Sequence, residues 1–218
     1  MVDWELSRYY RARAPEYEQI YYRDVPERRR EIDDEADRLR HLTDGKTVLE
    51  LACGTGYWTK VMSASARMVV ASDISREMIA EAAKKEYITP PHFVCADLLD
   101  HCFRENSFDC VVLGFWFSHH PRQDFGGLSE LVRFPLKDGG VVWMIDNNPP
   151  AEGPTVDSER VDEHGNNYKR RYLNSGEEYI IIKNYFQREE LEQILSAEFA
   201  VKSLVYKKYY WSAIMGKK

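Results

Sequence analysis

The chain has 218 residues, of which 44% are hydrophobic and 30% charged, with a formal net charge of -6. A chain of this length and composition fits one soluble α/β domain that buries about 70% of its unfolded surface without a disulfide or metal staple. The acidic balance argues against a general nucleic-acid binder, whose phosphate contacts need a basic face, and no apolar run approaches the about 20 residues of a membrane span.

Residues 1–44 are aromatic and charged with both signs mixed. Met1 to Tyr10 lacks the apolar core of a signal peptide, so the expected address is the cytoplasm. Ile32, Ala36, Leu39 and Leu42 form one apolar stripe on a helix from about Pro26 to Leu42. The Arg28–Arg30 run beside Glu31, Asp33, Asp34 and Glu35 reads as that helix's solvated face. Thr47 to Leu51 is a short strand ending in a Gly-rich turn, and Tyr57 to Ser63 opens the next helix. Met68 to Ala71 is the second strand, closed by Ser72-Asp73. Ser75 is the expected N-cap of a helix to Lys85, with Met78, Ile79, Ala82 and Ala83 on one face.

After the breaker Pro90-Pro91, His92 to Ala96 is the third strand. Asp109 to Leu113 is the fourth, apolar through its centre as suits a strand covered on both faces. Cys53, Cys95, Cys102 and Cys110 include no C-x-x-C pair, and the cysteines in apolar runs read as buried thiols of a reducing compartment. Leu128, Leu131 and Val132 carry a weaker helical pattern, and Gly139-Gly140 turn the chain into a fifth strand, Val141 to Ile145. Residues 147–168, rich in Asn, Pro, Gly and acids, read as a long loop. Tyr168–Leu173 and Glu178–Lys183 form a hairpin around Asn174-Ser175-Gly176. Arg188 to Phe199 is an amphipathic helix, followed by an antiparallel pair, Val201–Tyr206 and Tyr210–Met215. Such alternation implies an open, right-handed, mostly parallel sheet that binds ligands beyond the carboxyl ends of its strands.

The segment with most chemical content is Glu50-Leu51-Ala52-Cys53-Gly54-Thr55-Gly56, on the turn from the first strand to the first helix. Glycine there permits positive φ and close approach of a ligand to the backbone. A dinucleotide loop, G-x-G-x-x-G, fails at Thr59, and a G-x-x-x-x-G-K phosphate loop is absent. The segment resembles motif I of class I S-adenosylmethionine-dependent methyltransferases, with alanine at the first glycine. Three further positions fall in the order of that family: Asp73 after the second strand, Asp97 at the end of the third, and Phe108–Leu113 with Gly114-Phe115-Trp116-Phe117 after the fourth.

The resemblance implies a Rossmann-like three-layer sandwich, α/β, with a mostly parallel seven-stranded sheet and an antiparallel last strand. It implies one domain over 1–218: a helical lid at 1–44, a cofactor core at 45–146, an inserted loop and hairpin at 147–184, and a C-terminal helix and strand pair at 185–218. The implied reaction is methyl transfer from S-adenosylmethionine to a small-molecule acceptor, leaving S-adenosylhomocysteine. The implied cofactor contacts are Glu50, Ala52, Cys53, Gly54, Gly56, Asp73, Ile74, Met78, Asp97, Leu98 and Gly114, with Tyr17 from the lid. Asp73 would take the ribose hydroxyls and Asp97 the adenine amino group. Met78 would pack on adenine, although core packing explains it equally well.

In-line methyl transfer asks mainly for alignment, and for a base only when the acceptor must lose a proton. His119 and His120 are the candidate bases, against the alternative of a surface histidine pair. Phe115, Trp116 and Phe117 either wall the acceptor pocket or join the core. Arg170, Arg171, Tyr172 and Tyr185 either cap the pocket or belong to a structural hairpin. Asn147-Asn148-Pro149-Pro150 follows the wrong strand, and lacks the aromatic, for an amino-group methyltransferase motif. Asp146-Asn147 resembles the metal ligands of catechol-type enzymes, but the aspartate these also need after strand four is missing, so no metal is expected. No nucleic-acid or membrane partner is expected, and the chain is expected as a monomer or homodimer. Two alternatives stay open: a catalytically silent S-adenosylmethionine-binding module, and an NAD-dependent oxidoreductase.

Overall fold

A computed structural model describes residues 4–20, 25–100, 102–149 and 159–218. A seven-stranded sheet runs in the order β3-β2-β1-β4-β5-β10-β9. Its strands are β1 (Thr47–Leu51), β2 (Met68–Asp73), β3 (His92–Cys95), β4 (Phe108–Gly114), β5 (Leu136–Asn147), β9 (Ala200–Tyr206) and β10 (Tyr210–Gly216). The pairs among β1 to β5 are parallel, and β10 lies antiparallel between β5 and β9. The sheet order reverses direction at β1, so the crevice beyond the carboxyl ends of β1 and β4 is the place for a ligand.

The helices follow from the alternation of the strands' side chains, because successive residues face opposite sides of a sheet. Leu49 of β1, Val111 and Leu113 of β4, and Val142 and Met144 of β5 face one side. There they meet Leu128 and Val132 of α5 (Phe125–Arg133) and Leu191 and Leu195 of α6 (Arg188–Glu198). Val48, Cys110, Val112, Trp143 and Ile145 face the other side. They meet Ile32, Ala36 and Leu39 of α2 (Pro26–Thr43) and Trp58 and Met62 of α3 (Tyr57–Met62). Both apolar faces are covered, and this gives the three layers.

The helix after β2, α4 (Arg76–Ala82), is capped as expected, with Ser75 Oγ accepting from the Met78 N–H at 3.1 Å. It ends short of Lys85, and Ala83, expected on the buried face, is exposed. Two other expectations are corrected. Gly139-Gly140 do not precede the fifth strand but lie inside it, because Gly139 at φ +75° lets β5 bulge where the β4 register shifts between Phe108 and Cys110. Pairing then resumes toward Leu136, whose buried side chain opposes Phe108. Cys95 is exposed rather than buried, because β3 is an edge strand with few covering groups, and Cys102 is exposed too.

Residues 4–20 and 159–182 build a second layer over one end of the sheet. A helix, α1 (Trp4–Arg13), runs into a 3₁₀ turn, Ala14–Ile20. A small antiparallel sheet holds β6 (Arg160–Val161), β7 (Asn167–Tyr172) and β8 (Glu178–Ile182). The expected hairpin is present, with Gly176 of its connection at φ +89°. Leu6 and Tyr9 of α1 pack on Leu173, Tyr179 and Ile181. Of the expected 147–168 loop, residues 150–158 lie outside the described residues. Among the described residues, no helix is long and apolar enough to cross a membrane.

Candidate active site

At the carboxyl end of β1 the chain turns through three left-handed residues, Ala52 (φ 52°), Gly54 (φ 55°) and Gly56 (φ 78°). The loop is tied to β2 by the Cys53 N–H, which donates to the Ser72 carbonyl at 2.8 Å, and by the Gly54 N–H, which donates to Asp73 Oδ2 at 2.8 Å. The other Asp73 oxygen, Oδ1, accepts from the Ser75 N–H at 2.8 Å. Burial raises the Asp73 pKa, and the two N–H donors oppose the rise. Carboxylate oxygens accept more than one bond each, so Asp73 is fixed in place with acceptor capacity left toward the cavity it lines.

The two glycines of the turn have different reasons to be there. A Cβ on Gly54 would meet nothing closer than the Tyr17 ring, 3.8 Å away, so that face of the loop is open to the cavity. A Cβ on Gly56 would stand 3.0 Å from Ala82 Cβ and 2.7 Å from the Tyr87 hydroxyl. Gly56 therefore lets α3 and α4 approach. Behind the loop Glu50 is 1% exposed, and its carboxyl accepts from the Thr59 hydroxyl. Burial pushes its pKa up to about 8, against the opposing pull of Thr59 and Lys85.

Opposite the turn, the third acid, Asp97, lies two residues beyond β3, where Oδ1 accepts from the Leu99 N–H at 2.9 Å. Asp97 and Leu98 line the cavity with Ile74 and Met78. Gly114 ends β4, and a Cβ there would fall 2.5 Å from the Trp58 ring. The aromatic run after it divides. Phe115 (φ 59°) and Trp116 line the cavity, whereas Phe117 stacks on Phe125 in the core at 4.6 Å between ring centres.

His119 and His120 are both buried, 4% and 2% exposed, so the surface-pair reading is wrong. His119 Nδ1 lies 2.6 Å from the Ile182 carbonyl, which can only accept, so Nδ1 carries the proton. Nε2 is then an acceptor, and the Tyr10 hydroxyl donates to it at 2.7 Å. Burial, with the nearby Lys183 charge, holds the His119 pKa far below the usual imidazole range. His120 donates from Nε2 to the Asp124 carbonyl at 2.9 Å, and burial lowers its pKa too.

Beside His119, Lys183 Nζ donates to Ser118 Oγ at 2.5 Å and to Asp146 Oδ1 at 3.1 Å. Asp146 also accepts from the Ser118 and Asn147 N–H groups. Burial works to raise Asp146, but Lys183, His119 and these donors outweigh it and hold its pKa low.

A cavity thus joins Ala52, Gly54, Asp73, Ile74, Met78, Asp97, Leu98, Gly114, His119, His120 and, from the N-terminal layer, Tyr10 and Tyr17. Three expected contact residues stand apart from its lining. Glu50 lies under the loop, Cys53 turns its thiol into the core, and Gly56 packs against α4. The sequence reading missed the Tyr10–His119 bond and the Ser118–Asp146–Lys183 cluster. Tyr10 has its partner 109 positions away, beyond the reach of any local signal. Asp146 was weighed as half of a metal pair, and nothing local marks Lys183. Among the described residues there is no group of three or more His, Cys, Asp or Glu side chains placed to hold a metal ion.

A methyltransferase-domain family model matches residues 48–140, from β1 into β5. The fold superposes on the structure of a DhpI–SAM–HEP complex with a TM-score of 0.79 and 32% identity, over 97% of this chain and 95% of that one. A DhpI–SAH complex gives 0.76 and 31%, over 96% and 94%. The chain belongs to the class I S-adenosylmethionine-dependent methyltransferases. Two curated methyltransferases are similar over the same core. The demethylmenaquinone methyltransferase of Clavibacter sepedonicus is 36% identical over 110 residues, 49% of this chain and 43% of that protein. The cypemycin N-terminal methyltransferase of a Streptomyces species is 32% identical over 112 residues, 50% and 44%. The chain therefore matches just under half the length of these curated relatives, whereas the DhpI likeness also takes in the N-terminal layer and the small sheet.

Proposed function

We propose that this chain binds S-adenosylmethionine in the cavity and transfers its methyl group to a small-molecule acceptor. The acceptor–carbon bond forms as the sulfonium–carbon bond breaks, and S-adenosylhomocysteine leaves. The observation that carries this reading is Asp73, a buried carboxylate pinned through both oxygens and lying beside the open face of Gly54. Its free acceptor capacity suits the two ribose hydroxyls, in charge-assisted hydrogen bonds. Asp97 would take the adenine amino group, with Ile74, Met78 and Leu98 flanking the base. The methionine part would run past Ala52 and Gly54, with Tyr17 over it. Glu50 and Cys53 would shape the loop from below, and Gly56 would set the helix packing behind it. The sulfonium methyl would then face Gly114 and Trp116, and the acceptor would sit under α1 and the small sheet.

His119 is fitted to hold Tyr10 in place rather than to take up a proton itself, since its one lone pair is occupied and its burial resists charge. His120, with Nε2 committed to a carbonyl, is the candidate base for an acceptor that must lose a proton.

The test is a thermal-shift titration with S-adenosylmethionine, S-adenosylhomocysteine and NAD. A ligand at 100 times its dissociation constant adds about 2.7 kcal/mol of stability. A shift with the first two alone supports the reading, and a shift with NAD alone, or none, overturns it. Binding without turnover in a broad acceptor screen would favour the silent module.

A further inference from the structure

Two buried asparagines tie the small sheet to the segment that follows β4. Asn184, two residues past β8, and Asn166, just before β7, are 0% and 1% exposed. A buried amide is costly unless its donors and acceptors are met, and here both are met in one arrangement. The Asn184 N–H donates to the Ser118 carbonyl at 2.7 Å. Asn184 Nδ2 donates to the His120 carbonyl and to Asn166 Oδ1, each at 3.1 Å, and its Oδ1 accepts from the Asn167 N–H at 2.9 Å. Asn166 Oδ1 also accepts from the Arg122 N–H at 2.8 Å. Asn166 Nδ2 donates to Gln123 Oε1 at 2.9 Å and to Asp162 Oδ2 at 3.0 Å. Backbone N–H groups only donate and carbonyls only accept, so neither amide can be turned round.

The segment so held is a wall of the cavity. His119, His120, Pro121 and Asp124 line the cavity, and the asparagines grip the same stretch at Ser118, His120, Arg122 and Gln123. Apolar side chains would join the two layers without the desolvation cost. What the satisfied amides add is a fixed register between the small sheet and the wall.

That register sets both histidine rings. His119 Nδ1 carries a proton aimed at the carbonyl of Ile182, two residues before Asn184. His120 Nε2 carries one aimed at the Asp124 carbonyl at 2.9 Å, with Asp124 Oδ2 on the same side at 3.6 Å. The His120–Asp124 bond closes across Arg122 and Gln123, the two residues that Asn166 holds. The two rings are therefore opposite tautomers. Among the described residues no group bonds His120 Nδ1, so its lone pair is left for the cavity that the ring lines.

We propose that Asn184 and Asn166 are positioning residues for methyl transfer, which hold His119 and His120 in opposite tautomers and keep the His120 Nδ1 lone pair toward the acceptor. The proposal rests on the reading that the cavity holds the methyl donor and its acceptor.

Long-range proton–nitrogen NMR of the intact protein, isotope-labelled at the ring nitrogens of its histidines, tests it, because protonated and bare ring nitrogens resonate apart. Spectra of His119→Gln and His120→Gln assign the two rings among the six histidines of the chain. At neutral pH the wild type should show His119 protonated on Nδ1 alone and His120 on Nε2 alone. Asn184→Asp keeps the oxygen that accepts from Asn167 and removes both side-chain donor bonds. It should abolish the single-tautomer pattern of His120. Asn166→Ala releases Arg122 and Gln123 without touching β8, and should do the same even where Asn184→Asp does not fold. Retained calorimetric affinity for S-adenosylhomocysteine in each variant shows that the fold is intact. Unchanged tautomers in a folded variant, the result of a purely structural role, overturn the proposal. So does a wild type with His120 protonated on Nδ1. A wild type that ignores S-adenosylhomocysteine, with variants that still lose the His120 pattern, contradicts the cofactor reading and leaves the positioning of the histidines standing.

Discussion

Asp73 holds the glycine turn to the start of α4, and on the proposed function it also holds the ribose. Replacing it with alanine removes the acceptor of two N–H groups, Gly54 and Ser75, at about 1–3 kcal/mol each if they stay buried and unpaired. Asp73→Ala should therefore lower the melting temperature of the ligand-free protein by several degrees, and weaken S-adenosylhomocysteine binding by about a hundredfold or more. Unchanged calorimetric affinity would remove Asp73 from the site. Glu50 makes a separate prediction with a definite sign. Burial raises its pKa from 4.5 to about 8, so the folded state holds a proton that the unfolded state releases at lower pH. Its contribution to stability is present below about pH 4.5 and is lost as pH rises through about 8. Glu50→Gln keeps the shape and the Thr59 contact without the titration. Melting curves should show the variant gaining on wild type from pH 5 to pH 9, and parallel curves would place a charged Glu50 under the loop.

At the scale of elements, the turn after β1 and the helix after β2 depend on each other through Gly56. Gly56→Ala puts a Cβ at φ 78° and against Ala82. The left-handed backbone alone costs about 1–2 kcal/mol, or about 2–8 °C of melting temperature in a chain of this size. The N-terminal layer is latched to the same turn, where Glu18 accepts from the Thr55 hydroxyl at 3.0 Å and pairs with Lys85. Glu18→Gln should speed amide exchange in α1 and its 3₁₀ turn while leaving β4 and β5 protected, and exchange unaltered in α1 would mean the latch carries no stability.

The sheet elements were legible in the sequence because their signals are local: apolar runs, a serine cap at Ser75, and a hairpin connection at Gly176. The acids at Asp73 and Asp97 were legible for the same reason, since strand ends mark them. The Gly139-Gly140 pair misled because a bulge inside a strand and a turn before one call for the same residues. The burial of His119 was hidden because its partners, Tyr10, Ile182 and Lys183, come from both ends of the chain. The division of Arg170 from Arg171 between opposite faces follows only once the β7–β8 register is known.

Over the whole molecule, the doubly covered sheet supplies a rigid floor, and α1 with the small sheet supplies a roof joined to it by the Tyr10–His119 bond and the Glu18 latch. Ligand binding between the two should protect both. The central claim is that this cavity takes S-adenosylmethionine with its ribose on Asp73, its adenine toward Asp97 and its sulfur toward Gly114. Crystallography of the protein grown with S-adenosylhomocysteine tests it most directly. The account predicts density along that line, with both ribose hydroxyls within hydrogen-bond distance of the Asp73 carboxylate. Density for the ligand elsewhere, or in this cavity with its ribose away from Asp73, would contradict it.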